Sequence, residues 1–169
     1  MAKKNDTAGP TTAATRALRA AGIRFVPHAY RHDAAATDFG AEAARELGIE
    51  PARVFKTLMV ETDAGLGIGI VSVRDQLDLK ALAGELGSKK AAMADRAVAE
   101  RKSGYVVGGI SPVGQRTRLD TVVDDAATQF PTIFVSGGRR GFDIEIAPAD
   151  LLTAVGGRIA RIRRNSGDD

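Results

Sequence analysis

Two periods of apolar residues run through this chain, and the switches between them mark its elements. Period two belongs to a strand with one face inward, and a spacing of three or four to a helix. The stretch Arg53 to Val60 reads as a strand, as does the strictly alternating Phe142-Asp143-Ile144-Glu145-Ile146. Gly67 to Val73 reads as the return of a hairpin through the turn Asp63-Ala64-Gly65. Further strands are predicted at Ile23 to Tyr30, Lys90 to Met93, Thr121 to Val123 and Thr132 to Ser136. Pro27 restricts the first of these to an edge or a bulge.

Helical spacing begins after Pro10-Thr11-Thr12 and runs from Ala13 to Ala21, where Gly22 stops it. A second helix places Phe39, Ala43 and Leu47 on one face, with Thr37 as its predicted cap and Gly48 as its end. Asp78 opens a third, with Leu79, Leu82, Ala83 and Leu86 inward and Gly87 closing it. Asp95 caps a fourth, which ends before Gly104, and Pro148 begins a last one that ends near Gly156. Tyr105 to Gly114 holds three glycines and Pro112, and so reads as a loop with special backbone needs. The turn Gly137 to Gly141 leads into the last strand.

Several neighbouring strands are joined by short turns. That predicts an α+β fold with a compact, mixed β-sheet and flanking helices, not a doubly wound parallel sheet. One domain is expected over residues 11–156, with residues 1–10 disordered and 157–169 a basic, then polar, tail that frays.

One residue breaks the apolar pattern. Lys56 falls on the same strand face as Val54, Leu58 and Val60. An ammonium among aliphatic groups is costly unless it is paired or opens onto a cleft. The alternative is an edge-strand lysine whose stem reaches past the core to water.

Composition narrows the chemistry. The chain has 169 residues, 44% of them hydrophobic, with no Trp and only six Phe and two Tyr, so the core must be largely aliphatic. The absence of cysteine removes disulfides, thiolate metal sites and a cysteine nucleophile. The N-terminus lacks a signal-peptide core, and no run approaches the roughly 18 apolar residues of a membrane span, so a soluble cytoplasmic protein is expected. The net charge is +3. Basic residues cluster at Lys89-Lys90, Arg116 with Arg118, Arg139-Arg140, and Arg158 to Arg164. Together they would suit a phosphate backbone; apart, they are solvated surface.

No GxSxG, HExxH, Walker A or strand-linked GxGxxG motif is present. His28 and His32 are the only histidines; Pro27 and the Phe25-Val26 run predict an extended segment there, no third ligand is evident, and neither carries a triad motif. Asp143 and Glu145 share a strand face and could act as an acid–base pair, but spacing alone favours a solvated face balanced by Arg139 and Arg140. Asp124-Asp125 reads as a turn or helix cap. The glycines of Gly108-Gly109-Ile110-Ser111-Pro112 and Ser136-Gly137-Gly138 either form tight turns or bring backbone N–H groups close to a ligand.

Four motifs in order carry a resemblance. They are Val54-Phe55-Lys56-Thr57-Leu58, Gln76-Leu77-Asp78-Leu79-Lys80, Gly104 to Pro112, and Val135-Ser136-Gly137-Gly138-Arg139-Arg140-Gly141-Phe142-Asp143-Ile144-Glu145. From about Ala13 to Leu152 the chain resembles the YbaK/EbsC family, most strongly its Cys-tRNA(Pro) deacylase branch. His28-Ala29-Tyr30-Arg31-His32-Asp33 is similar to the family pattern as well.

The resemblance implies a mixed, partly barrel-like sheet and an enzyme that removes a wrongly attached amino acid from tRNA in trans. It implies Lys56 as the essential residue, and a pocket lined by Tyr30, Thr57, Gly108, Ser136 and Asp143. Gly108 and Gly109 would supply oxyanion donors, and Arg139 and Arg140 are candidates for the tRNA backbone. Among the substrate-binding residues, Asp143 and Ser136 would orient the aminoacyl group through its amine, Tyr30 would shape the pocket and Thr57 would line it. The implied partners are misacylated tRNA(Pro) and prolyl-tRNA synthetase, with no metal or organic cofactor and no membrane. Cysteine is the leading amino acid; alanine or a broader set, and a non-catalytic tRNA- or synthetase-binding module, are the alternatives.

Overall fold

The computed structural model describes residues 9–165. Among these residues the helices are α1 (Ala13–Ala20), α2 (Phe39–Leu47), α3 (Leu79–Glu85), α4 (Arg96–Ser103) and α5 (Pro148–Val155). The strands are β1 (Val26–Ala29), β2 (Phe55–Thr62), β3 (Gly65–Ser72), β4 (Ala91–Met93), β5 (Asp120–Asp124), β6 (Ile133–Arg139), β7 (Phe142–Ile146) and β8 (Arg158–Ala160). Residues 1–8, most of the segment expected to be disordered, lie outside the described residues.

The strands form two sheets, in the orders β1-β7-β6 and β4-β2-β3-β5-β8. Pairing is antiparallel except β3 with β5 and β5 with β8, which are parallel. A parallel bridge between Val54 and Phe134 joins the sheets. The result is the mixed α+β architecture read from the sequence, built as two open sheets that do not close into a barrel. β1 is an edge strand, as Pro27 requires.

The main core draws on both sheets and is aliphatic, with Ile68, Ile70, Ile133, Val135, Ile144 and Leu151 fully buried around Phe55 and Phe142. Two smaller clusters flank it. One gathers Val60, Val71, Leu82, Val122 and Ile162; the other gathers Ala43, Ala44, Val54 and Phe134. Lys56 therefore sits at a seam, since Val54 before it and Val60 after it belong to different clusters.

Several local expectations needed correction. Asp38, not Thr37, caps α2, accepting from the Ala41 N–H at 3.1 Å. β6 does not stop at Ser136. It runs on to Arg139 through an irregularity in register at Gly137-Gly138, and the hairpin turn is Arg140-Gly141. Arg139 and Arg140 do not balance a solvated Asp143–Glu145 face. β7 is the central strand of its sheet, and Asp143 is only 5% exposed. Glu145 is tied instead to His28 Nε2 at 2.9 Å and to the Thr132 hydroxyl at 2.6 Å.

The largest correction concerns the tail. β8 pairs with β5, and Ile162 is completely buried. The Asp124 carboxylate, also fully buried, accepts from the Ile162 and Arg163 N–H groups and from the Arg163 guanidinium at 2.7 Å. Arg158 pairs with Asp120 at 2.9 Å. Much of the basic charge in this segment thus closes the fold. Asp124→Ala would leave the Ile162, Arg163 and Ala126 N–H groups without their acceptor and Asp125 as the remaining carboxylate on the Arg163 guanidinium, and is expected to cost about 3 kcal/mol. A urea titration checks this; an unchanged midpoint would contradict the docking.

Candidate active site

A cavity of about 620 Å³ opens between β2, the start of α2, the 105–114 loop and the β6–β7 hairpin. That volume suits a small organic group. Tyr30, Lys56, Thr57, Gly108, Ser136 and Asp143 all line it. The structure thus brings together six residues that the sequence singled out.

Lys56 is half-buried, and among the described residues no carboxylate lies within ion-pair distance of its amine. Burial pulls its pKa below the usual lysine value, partly offset by the Asp38 and Asp75 carboxylates. Asp75 itself carries a buried Oδ2 with no hydrogen-bond partner.

In the same cavity lining, burial alone pushes the Asp143 carboxyl up to about 7. Ser136 stands opposite Asp143 in the antiparallel register, and its Oγ accepts from the Gly138 N–H at 3.2 Å. The Tyr30 phenol is pushed well up by burial, then by the neighbouring Asp143. Thr57 contributes a buried hydroxyl with no partner. Because that oxygen is fully buried, the orphaned hydroxyl is a cost to the fold rather than a group open to a ligand.

The glycine loop contributes Val107, Gly108 and Ile110 to the lining. Gly108 lies in the left-handed region, with φ 91°. Gly109 is buried, and a Cβ there would come within 2.7 Å of the Arg139 backbone, so this glycine permits close packing of the loop on the hairpin. Its N–H donates to the Val106 carbonyl at 2.8 Å and does not face a ligand. Tyr105 anchors the loop by donating its hydroxyl to the Val113 carbonyl at 2.5 Å.

The two arginines of the hairpin differ. Arg139 is exposed. Arg140 is half-buried, donates from Nε to the Val107 carbonyl at 2.9 Å and stacks 4.9 Å from the Phe39 ring. Both histidines are engaged away from the cavity lining, His28 with Glu145 and His32 with the buried Glu42 at 2.8 Å.

Sequence reasoning missed Asp38, Phe39, Met93 and Arg96, which also line the cavity. Asp38 had a signal as a helix cap; the others are ordinary residues on helices or a short strand until the fold brings them together. Thr57→Val is expected to leave stability within about 1 kcal/mol, because it removes an orphaned hydroxyl. A thermal melt checks it, and a larger loss would mean that the hydroxyl is bonded after all.

Comparisons with known proteins give the family and the fold. Residues 33–154 match the model of the aminoacyl-tRNA editing domain. The chain is 37% identical over 165 residues to the Enterococcus faecalis (strain ATCC 700802 / V583) protein named "Putative Cys-tRNA(Pro)/Cys-tRNA(Cys) deacylase EbsC", covering 96% of this chain and 98% of that one. A crystal structure of a "putative trans-editing enzyme for prolyl tRNA synthetase" superposes with a TM-score of 0.81 at 24% identity, over 92% of this chain and 99% of that one. The crystal structure of a hypothetical protein gives 0.79 at 26% identity, over 90% and 100%. At such identities the first of these structures speaks for the fold alone. With the family model matched over most of its length, and a relative of this identity end to end, the chain belongs to the aminoacyl-tRNA editing domain family, within the YbaK group.

Proposed function

We propose that this protein removes cysteine from Cys-tRNA(Pro) in trans, using the substrate's own thiol. The observation that carries the reading is one cavity that gathers a buried carboxyl, Asp143, and a half-buried amine, Lys56, and offers no hydroxyl–histidine pair. Ser136 and Thr57 have no histidine to activate them, so a serine- or threonine-centred triad is poorly served. An ester carrying its own nucleophile needs only positioning and charge stabilisation.

In the step itself, the cysteine sulfur attacks the ester carbonyl carbon. The C–S bond forms, the C–O bond to the ribose breaks, and the thiol proton passes to the departing ribose oxygen. The products are a cysteine thiolactone and free tRNA. Asp143 receives the substrate α-ammonium, aided by Ser136, while Tyr30 shapes the pocket. Lys56 holds the terminal adenosine or polarises the ester, and a Gly108 N–H stabilises the oxyanion.

An editing step is needed on energetic grounds. A small apolar difference in a synthetase pocket is worth only about 1–3 kcal/mol, too little to exclude cysteine from a proline site. Prolyl-tRNA synthetase supplies recognition of the tRNA body. Exposed Arg139 contacts phosphate, so binding weakens as salt rises.

The test compares Cys-tRNA(Pro), Ala-tRNA(Pro) and the 2-aminobutyryl ester, which has the size of cysteine without its thiol, each with synthetase present. The expected result is loss of the cysteine ester only. Equal loss of all three would leave a deacylase of broader specificity and remove thiol assistance. Binding of every ester without cleavage would favour the non-catalytic module.

A further inference from the structure

We propose that Arg140 is a positioning residue for the Gly108 N–H. It holds the Val107–Gly108 peptide by its carbonyl and so turns the N–H of the same peptide toward the cavity. This rests on the reading of the cavity as an ester-cleaving site.

Residues 106–109 form a tight turn closed by the Gly109 N–H on the Val106 carbonyl at 2.8 Å. Gly108 occupies the third position with φ 91°, the signature of a type II turn. Types I and II differ mainly by reversal of the central peptide. Here that peptide is Val107–Gly108, and the reversal would exchange the directions of the Val107 C=O and the Gly108 N–H.

Both neighbouring peptides are already committed. The Val107 N–H donates to Glu100 Oε2 at 2.8 Å, and the Gly109 N–H closes the turn. Only the central peptide is free to choose, and Arg140 Nε on the Val107 oxygen at 2.9 Å settles the choice. A trans peptide points its C=O and N–H in opposite directions. With the oxygen drawn to Arg140, the Gly108 N–H points away from the guanidinium. Gly108 lines the cavity and Arg140 does not.

Arg140 is itself restrained. Its guanidinium lies 4.9 Å from the Phe39 ring, and the position a Gly108 Cβ would take is 2.9 Å from both Arg140 Nε and Phe39. The absent side chain leaves room for this stack. Arg140 therefore serves as a clamp, while Arg139, one residue earlier and exposed, faces solvent as a phosphate contact would.

Two measurements test this. In single-turnover kinetics on Cys-tRNA(Pro), Arg140→Ala should lower the cleavage rate constant roughly 100-fold, the usual effect of losing one oxyanion donor. The half-saturating protein concentration and its salt dependence should stay unchanged. A phosphate contact would do the opposite, weakening binding and reducing the salt slope by about one; that outcome overturns the proposal.

The second measurement does not depend on activity. The residual dipolar coupling of the Gly108 N–H reports its direction in the free protein. It should match the type II turn in the wild type and change in Arg140→Ala. Should that variant fail to fold, Arg140→Met keeps an apolar chain against Phe39 without the donor. An unchanged coupling in a folded variant overturns the clamp, whatever the kinetics show. A changed coupling in a protein that cleaves no ester would retain the clamp and reject the proposed function instead.

Discussion

Lys56→Met should abolish most of the deacylase activity, lowering single-turnover cleavage roughly 1000-fold, while leaving the fold intact or slightly firmer. The first effect follows from the site. Among the described residues Lys56 is the one amine in the cavity lining, and charge stabilisation is commonly the largest catalytic contribution. The second follows from cost. The amine is half-buried at the seam of two apolar clusters without an ion pair, and methionine fills similar space without the charge. A gain of up to about 1 kcal/mol is expected. Because burial lowers the Lys56 pKa, the alkaline limb of kcat/KM in the wild type should fall below the ordinary lysine value of 10.5. Kinetics over a pH series and a urea titration check both parts. Full activity in Lys56→Met would remove this residue from the mechanism, and a large loss of stability would mean that it is structural.

Asp143→Asn should separate stability from activity still more clearly. The folded-state pKa of Asp143, about 7, is raised above the ordinary 3.8 by burial. The folded protein therefore binds the proton more tightly than the unfolded chain does. Stability contributed by this group is greatest below about pH 4, declines as pH rises toward 7, and levels off above that. The asparagine variant lacks this decline. It should be more stable than the wild type by about 1–3 kcal/mol at pH 8 and should lose that advantage at pH 4. Activity should nonetheless drop roughly 100-fold, because a neutral amide binds the substrate ammonium poorly. Denaturant titrations at the two pH values, paired with kinetics, give the answer. A variant less stable at pH 8 would mean that the carboxylate is paired in the native protein.

The reading of Lys56 shows what alternation can deliver. One charged residue on an apolar strand face was enough to suspect a cleft, and Lys56 does line one. The glycine motifs were legible as places where backbone comes close, but not as donors or spacers. Gly109 carried the same signal as Gly108, yet its N–H is spent within the turn. Asp143 was legible only through family likeness. From spacing it belonged to a solvated face, because nothing local says that β7 is a central strand. The tail was misread for a similar reason. Its arginines look solvated until Asp120 and Asp124, nearly forty residues away, are brought beside them. Long-range partners of this kind leave no periodic trace. Met93 and Arg96 escaped notice for the same cause.

The same physics explains why an acyl-transfer site can be assembled with no nucleophile of its own. On the proposed reading the chain supplies a shaped cavity, a buried carboxyl, a half-buried amine and a backbone donor. Every reacting bond would then belong to the substrate.

The most direct check is a single-turnover mixture of excess protein with tRNA(Pro) carrying radiolabelled cysteine, with the labelled product identified by chromatography. The prediction is first-order loss of the ester well above its spontaneous rate, with the label appearing as the thiolactone or its hydrolysis product. An ester that survives at the spontaneous rate, with prolyl-tRNA synthetase present, would contradict the account.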